Sequence, residues 1–204
     1  MSRCHDVAVL AVLVATSAIG CTTGTGGAPD TSDTGSAPDT SDTPVTSGAP
    51  TVADPLDITR YLDDPCLSLT DRQVTEYLGD EAEPQVATEQ SSGPSCSWYS
   101  GMRSHAQIVI TYPRLTDEGM TAIYRNRDVH AFFHETAPVN GYPAVSYGGV
   151  DSREKGECLV TVGTSNSDYV NIDVYLGASS VGRVDPCDAA HEVATVVISN
   201  IQSA

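Results

Sequence analysis

Two histidines four residues apart, His130 and His134, with Glu135 beside the second, are the first feature of this sequence that could do chemistry. On a helix they would share a face, the spacing of His-x-x-x-His zinc sites, with a third ligand drawn from His105 or Glu157. No glutamate follows His130 as the general base that metalloprotease motifs require. On a strand, which Val129, Phe132 and Phe133 favour, both rings still lie on one face, as ordinary side chains. That second reading is taken, so neither metal nor cofactor is expected. Serines are plentiful, yet no Gly-x-Ser-x-Gly elbow occurs. The acid pairs Asp63-Asp64, Asp80-Glu81 and Asp117-Glu118 fall at helix starts or in loops, where dipole and solvent account for them. No catalytic constellation is recognisable, and the expectation is a protein without enzymatic activity.

Binding chemistry is better represented. Tyrosine outnumbers phenylalanine nine to two. Trp98 and Tyr99 follow Cys96 directly, and Tyr169, Asn171, Asp173 and Tyr175 alternate with the apolar set Val170, Ile172, Val174 and Leu176. These six polar and aromatic residues are the candidate ligand-binding set: a tyrosine-rich sheet face with two acceptors could stack a sugar or peptide and hydrogen-bond it. The competing reading is a face covered by a helix or simply wet.

The elements that must position them follow from periodicity. Thr70 with Gln73 forms a capping box ahead of a short helix over 71–78, stopped by Gly79. Residues 106–112 alternate as a strand, and Thr116 is read as the start of a second helix carrying Met120, Ile123 and Tyr124. Asn140-Gly141 signals a hairpin turn after Val139, leading into a strand over 142–147. Strands over 158–163 and 168–176 flank Ser165-Asn166-Ser167. The last helix carries one apolar stripe, Ala190, Val193, Ala194, Val197, Ile198 and Ile201, which must lie on the sheet. The fold class is therefore α+β: a mainly antiparallel β-sheet with helices packed on it.

Cysteines and the N-terminus set the compartment. Arg3 precedes an apolar run over 7–18, too short for the roughly 20 residues a membrane-spanning helix needs, so residues 1–20 read as a signal peptide. Ala18-Ile19-Gly20-Cys21 resembles a bacterial lipobox, with Cys21 the lipidated residue; each buried methylene of its acyl chains would contribute about 0.8 kcal/mol of membrane affinity. From Cys21 to residue 55 the chain is almost wholly Thr, Ser, Gly, Ala, Pro and Asp, with APDTSDT at 28–34 and again at 37–43. Such a composition predicts a disordered tether whose acids repel and extend it. Cys66, Cys96, Cys158 and Cys187 remain for a single globular domain over 56–204. Four cysteines allow three pairings. The mirrored contexts Asp-Pro-Cys before a helix and Cys in a strand favour Cys66–Cys96 and Cys158–Cys187, each tying a helix start to a strand.

An exported lipobox, a polar tether, Asp64-Pro65-Cys66, Cys96-x-Trp98, Gly141-x-Pro143-Ala144, a strand with Cys158 and a closing Asp185-Pro186-Cys187 helix resemble, as an ordered set, the actinobacterial lipoproteins gathered as domain of unknown function 3558. The resemblance covers about residues 56–204. It implies an extracytoplasmic, lipid-anchored domain on the cell membrane with no established activity; by fold-level analogy the layout is similar to Mog1/PsbP-like lipoproteins. The charge agrees with such a setting: 27 acids against 10 bases give −17, which excludes nucleic acid as a partner and adhesion to anionic lipid through a basic patch. The expected partners are the membrane, through Cys21, and an envelope ligand or protein. The alternatives are an envelope enzyme acting on cell-wall polymer and a structural or accessory interaction module.

Overall fold

The computed structural model describes residues 48–88, 91–101 and 105–204. The signal segment, Cys21 and the tether through residue 47 lie outside the described residues. Helix α4 (Pro186–Gln202) organises the rest. It starts sharply because the Asp185 carboxylate accepts hydrogen bonds from the amides of Cys187 (2.7 Å) and Asp188 (3.3 Å) while Pro186 occupies the first turn. Over about 25 Å of axis it lays the six stripe residues read from the sequence against the sheet, all buried.

Seven antiparallel strands make that sheet: β1 (Glu83–Ala87), β2 (Ser95–Tyr99), β3 (Gln107–Thr111), β4 (Phe132–Glu135), β5 (Ala144–Gly148), β6 (Glu157–Gly163) and β7 (Tyr169–Tyr175), in the spatial order β1-β2-β3-β7-β6-β5-β4. One cross-strand row runs through all seven: Val86, Cys96, Ile110, Ile172, Val160, Ser146, His134. Directly opposed residues share a face. This row therefore marks the side that α4 covers, fully buried from Cys96 to Ser146 and exposed at its two ends. The edge strands are polar and short: β1 carries Glu83 and Pro84, and β4 has four residues and ends on Glu135.

The smaller helices close the covered side. Helix α2 (Asp71–Leu78) has the capping box read from the sequence, with the Thr70 amide donating to Gln73 Oε1 at 2.7 Å. Asn200 of α4 joins these pieces: its amide nitrogen donates to the Ser68 carbonyl and to Gln73 Oε1, each at 2.9 Å. The Tyr61 hydroxyl of α1 (Thr59–Asp63) donates to the Asn200 carbonyl at 3.2 Å. At the other end Asn140 (φ 49°) and Gly141 (φ 89°) make the turn between Val139 and Tyr142, which exchange backbone hydrogen bonds of 2.9 Å. Asn140 Nδ2 then fastens that turn to α4 through the Thr195 carbonyl and Ser199 Oγ. Disulfides Cys66–Cys96 and Cys158–Cys187 join a helix start to a strand in each case, with Cα atoms 5.0 Å apart. Loops of 30 and 29 residues correspond to about 3–4 kcal/mol each in the chain-entropy account.

Strand ends shift by one or two residues from the sequence reading, and two boundaries differ by more. Helix α3 (Met120–Arg125) begins four residues after Thr116, whose hydroxyl instead accepts from the Glu118 amide at 3.1 Å and closes a turn. The packed body also begins before residue 56. Val52 is 6% exposed within the core, its amide donates to Asn166 Oδ1 at 2.9 Å, and the Asp54 carbonyl accepts from the Tyr142 hydroxyl at 3.0 Å. Low-complexity composition hid this, because one valine among threonines carries no periodicity.

Ile198 is fully buried at the centre of the α4 stripe. Ile198→Ala is expected to lower the free energy of unfolding by about 2–5 kcal/mol, measured by urea denaturation, and Val52→Ala by about 1–2 kcal/mol.

Candidate ligand-binding face

Alternation along β7 turns Val170, Ile172 and Val174 towards α4 and Tyr169, Asn171, Asp173 and Tyr175 away from it. Register then extends this outer face across neighbouring strands. One row is Glu83, Tyr99, Gln107, Tyr175, Glu157; the next is Gln85, Ser97, Val109, Asp173, Leu159. Tyr147 of β5 approaches from the far side, opposite Phe133 of β4.

The six candidate residues do not stay together. Trp98 is 2% exposed and lies under the helices in the main core, on the side opposite its neighbour Tyr99, because consecutive strand residues point to opposite faces. Tyr169 is also removed from solvent. It packs with Met120, Ile123 and Tyr124 of α3 and with Val145 in a second, smaller core on the outer side. Gly163 makes this possible: a Cβ there would stand 2.7 Å from the Met120 sulfur. Asn171 Oδ1 accepts from the Thr161 hydroxyl at 2.6 Å within the sheet. Helix α3 therefore covers one end of the outer face, and Tyr99, Asp173 and Tyr175 remain on the uncovered part. Gln107, Glu157 and Leu159 join them, and Tyr147 stands at the border, packed against the second core. The sequence shows that Glu157, Leu159 and Thr161 alternate with core residues, but which strand they lie beside is set by pairing.

Asp173 is the anomaly of this face. Its half-buried carboxylate has no hydrogen bond and no ion pair among the described residues. Burial, and secondarily the negative charge of Glu157, push its pKa up to about 7. The Tyr175 phenol is pushed up to about 12 by burial and by the charges of Asp173 and Glu157. Burial likewise takes Tyr147 to about 12. A cavity of about 190 Å³ opens beside these groups, lined in part by Asp173, Glu157, Leu159, Tyr147 and Phe132.

The covered side holds a larger cavity, about 400 Å³, between α4 and β4–β5, lined by His134, Ser146, Arg153, Asp185, Asp188 and His191 among others. Most of its polar groups have structural partners. Asp185 caps α4, and Arg153 binds Asp151 at 2.6 and 2.8 Å while lying 4.3 Å over the Phe132 ring. His191 Nε2 donates to the Ala137 carbonyl at 2.9 Å, and the buried Ser146 hydroxyl sits 3.6 Å from Cys158 Sγ. The histidine pair is divided: His134 faces this cavity, whereas His130, in the loop before β4, packs 4.6 Å from the Tyr147 ring. No group of three or more potential metal-ligating side chains forms among the described residues.

A seven-stranded antiparallel sheet with one helix-covered face, one largely open tyrosine–carboxylate face and two disulfides defines a stapled α+β domain. The chain belongs to the family described as protein of unknown function (DUF3558), whose model matches residues 17–200. No curated protein and no solved structure matches it.

Between about pH 4 and pH 7 the folded chain keeps a proton on Asp173 that the unfolded chain has lost, so this group lowers stability as pH rises through that window. Asp173→Asn is expected to match the parent near pH 3.5 and to exceed it by about 2–4 kcal/mol near pH 8, read by urea denaturation at the two pH values.

Proposed function

We propose that this is an exported lipoprotein of the actinobacterial type, held on the extracytoplasmic face of the cell membrane by a lipid on Cys21, whose domain binds a ligand or partner without catalysing a reaction. The observation that carries the binding half is the row Tyr99–Gln107–Tyr175–Glu157 beside Asp173, whose carboxylate has no hydrogen-bond partner among the described residues. Phenol rings and carboxylates on an uncovered sheet face offer stacking area and acceptors to something outside the chain. The anchoring half rests on Ala18-Ile19-Gly20-Cys21 after a short apolar run and on the low-complexity spacer behind it. The spacer sets how far from the membrane the face is presented.

Expression of the full chain in a lipoprotein-processing bacterium should give a mature N-terminus at Cys21 carrying a diacylglyceryl group in intact-mass analysis, and Cys21→Ser should move the protein from the membrane to the soluble fraction. An unmodified Cys21 would refute the anchor. Native mass spectrometry of the protein purified from its own envelope should reveal a retained ligand, lost on Tyr175→Ala.

A further inference from the structure

We infer that the open sheet face binds a basic side chain of a polypeptide, with its cationic head seated between Asp173 and Glu157 and its aliphatic stem lying on Val109 and Leu159. This rests on the binding reading above and names the chemistry of what is bound. Three independent features of the face converge on it. The first is an open acceptor: the half-buried Asp173 carboxylate has no donor among the described residues, and its oxygens still reach the surface, where a donor from outside can approach them. The second is the sign of the surroundings. The groups facing Asp173 are Glu157 from β6, Tyr147 from β5 and Tyr175 from its own strand; none brings positive charge, and burial and Glu157 disfavour its ionised form.

The third feature is shape and polarity. Val109 and Leu159 are the direct cross-strand neighbours of Asp173, so the carboxylate is bracketed by apolar side chains. A hydroxyl-rich amino sugar would leave those surfaces against polar groups, whereas a lysine or arginine side chain covers them with its methylenes. Tyr147 lines the adjoining cavity of about 190 Å³, and Tyr99 and Tyr175 stand one row away; such rings attract cations at their faces. The cavity has room for a side-chain head and the methylenes behind it. Long-range field acts in the same direction: the chain carries a formal net charge of −17, which draws a basic segment in and repels anionic polymer.

The test is titration of the purified full-length chain, followed by NMR and calorimetry near pH 8, with acetyl-Gly-Lys-Gly-amide, its norleucine counterpart, a glucosamine trisaccharide and calcium ion. The lysine peptide should bind at least tenfold more tightly than the norleucine peptide. Asp173→Asn, which keeps the fold, should weaken it at least tenfold, and Tyr99→Ala severalfold. Binding should also weaken between about pH 8 and pH 5.5 as Asp173 takes up a proton. Equal binding of both peptides with no effect of Asp173→Asn would overturn the cationic inference and leave a binding face. Preference for the trisaccharide or for calcium would overturn the polypeptide assignment. Failure of every probe to perturb the resonances of Tyr99 and Tyr175 would overturn the inference and the binding reading together.

Discussion

The apolar stripe of α4 has one place to go, and the fold is arranged around that. Seventeen residues bury Ala190, Val193, Ala194, Val197, Ile198 and Ile201 against β6 and β7, which occupy the middle of the sheet. Desolvating that stripe decides which side of the sheet is interior. Once β7 is oriented by Val170, Ile172 and Val174, register carries the decision sideways through Ile110 and Cys96 in one direction and Val160 and Ser146 in the other. The disulfide at Cys187 and the caps at Asp185 hold the helix start over the strand that bears Cys158.

The opposite face inherits whatever the inner face does not need. Among the described residues α3 and Ala49 cover it at one end, where Gly163 lets Met120 approach and Gly119, with φ 53°, turns the chain against Asn166. The remainder is a surface where polar and aromatic side chains stand on a rigid ladder. Their spacing is fixed by hydrogen-bonded strands and not by loops, so they cannot rearrange freely to satisfy one another. Asp173 shows the result: it faces outward, between Val109 and Leu159 and within reach of the Glu157 charge.

Much of this was legible in the amino-acid order, where local rules suffice. The α4 stripe, the Thr70 capping box, the Asn140-Gly141 turn, the alternation of β7 and the two disulfide pairings all depend on short-range spacing or on local context. What needed the structure was lateral order. The arrangement β1-β2-β3-β7-β6-β5-β4 places β7 between β3 and β6, and nothing in the alternation of either neighbour says so. Strand β1 is almost wholly exposed and contains a proline, so its pairing with β2, not its composition, makes it a strand. The candidate site divided for a similar reason. Trp98 and Tyr99 are adjacent in sequence and therefore on opposite faces, and Tyr169 lies on the right face but under a helix whose docking position the sequence does not encode locally.

The two outer strands bear on how copies of this chain behave when crowded together. An open sheet margin is a template on which a second sheet can extend the ladder, and repeated extension gives fibrous aggregates. Here one margin carries Pro84, which lacks an amide proton, and Glu83, and the other is a strand of four residues ending on Glu135. Pairing through β1 would break the ladder at Pro84, and pairing through β4 could extend it over four residues at most. A domain packed densely on a surface would thus keep its neighbours at arm's length along the sheet direction, leaving lateral self-association unfavourable even at high local concentration.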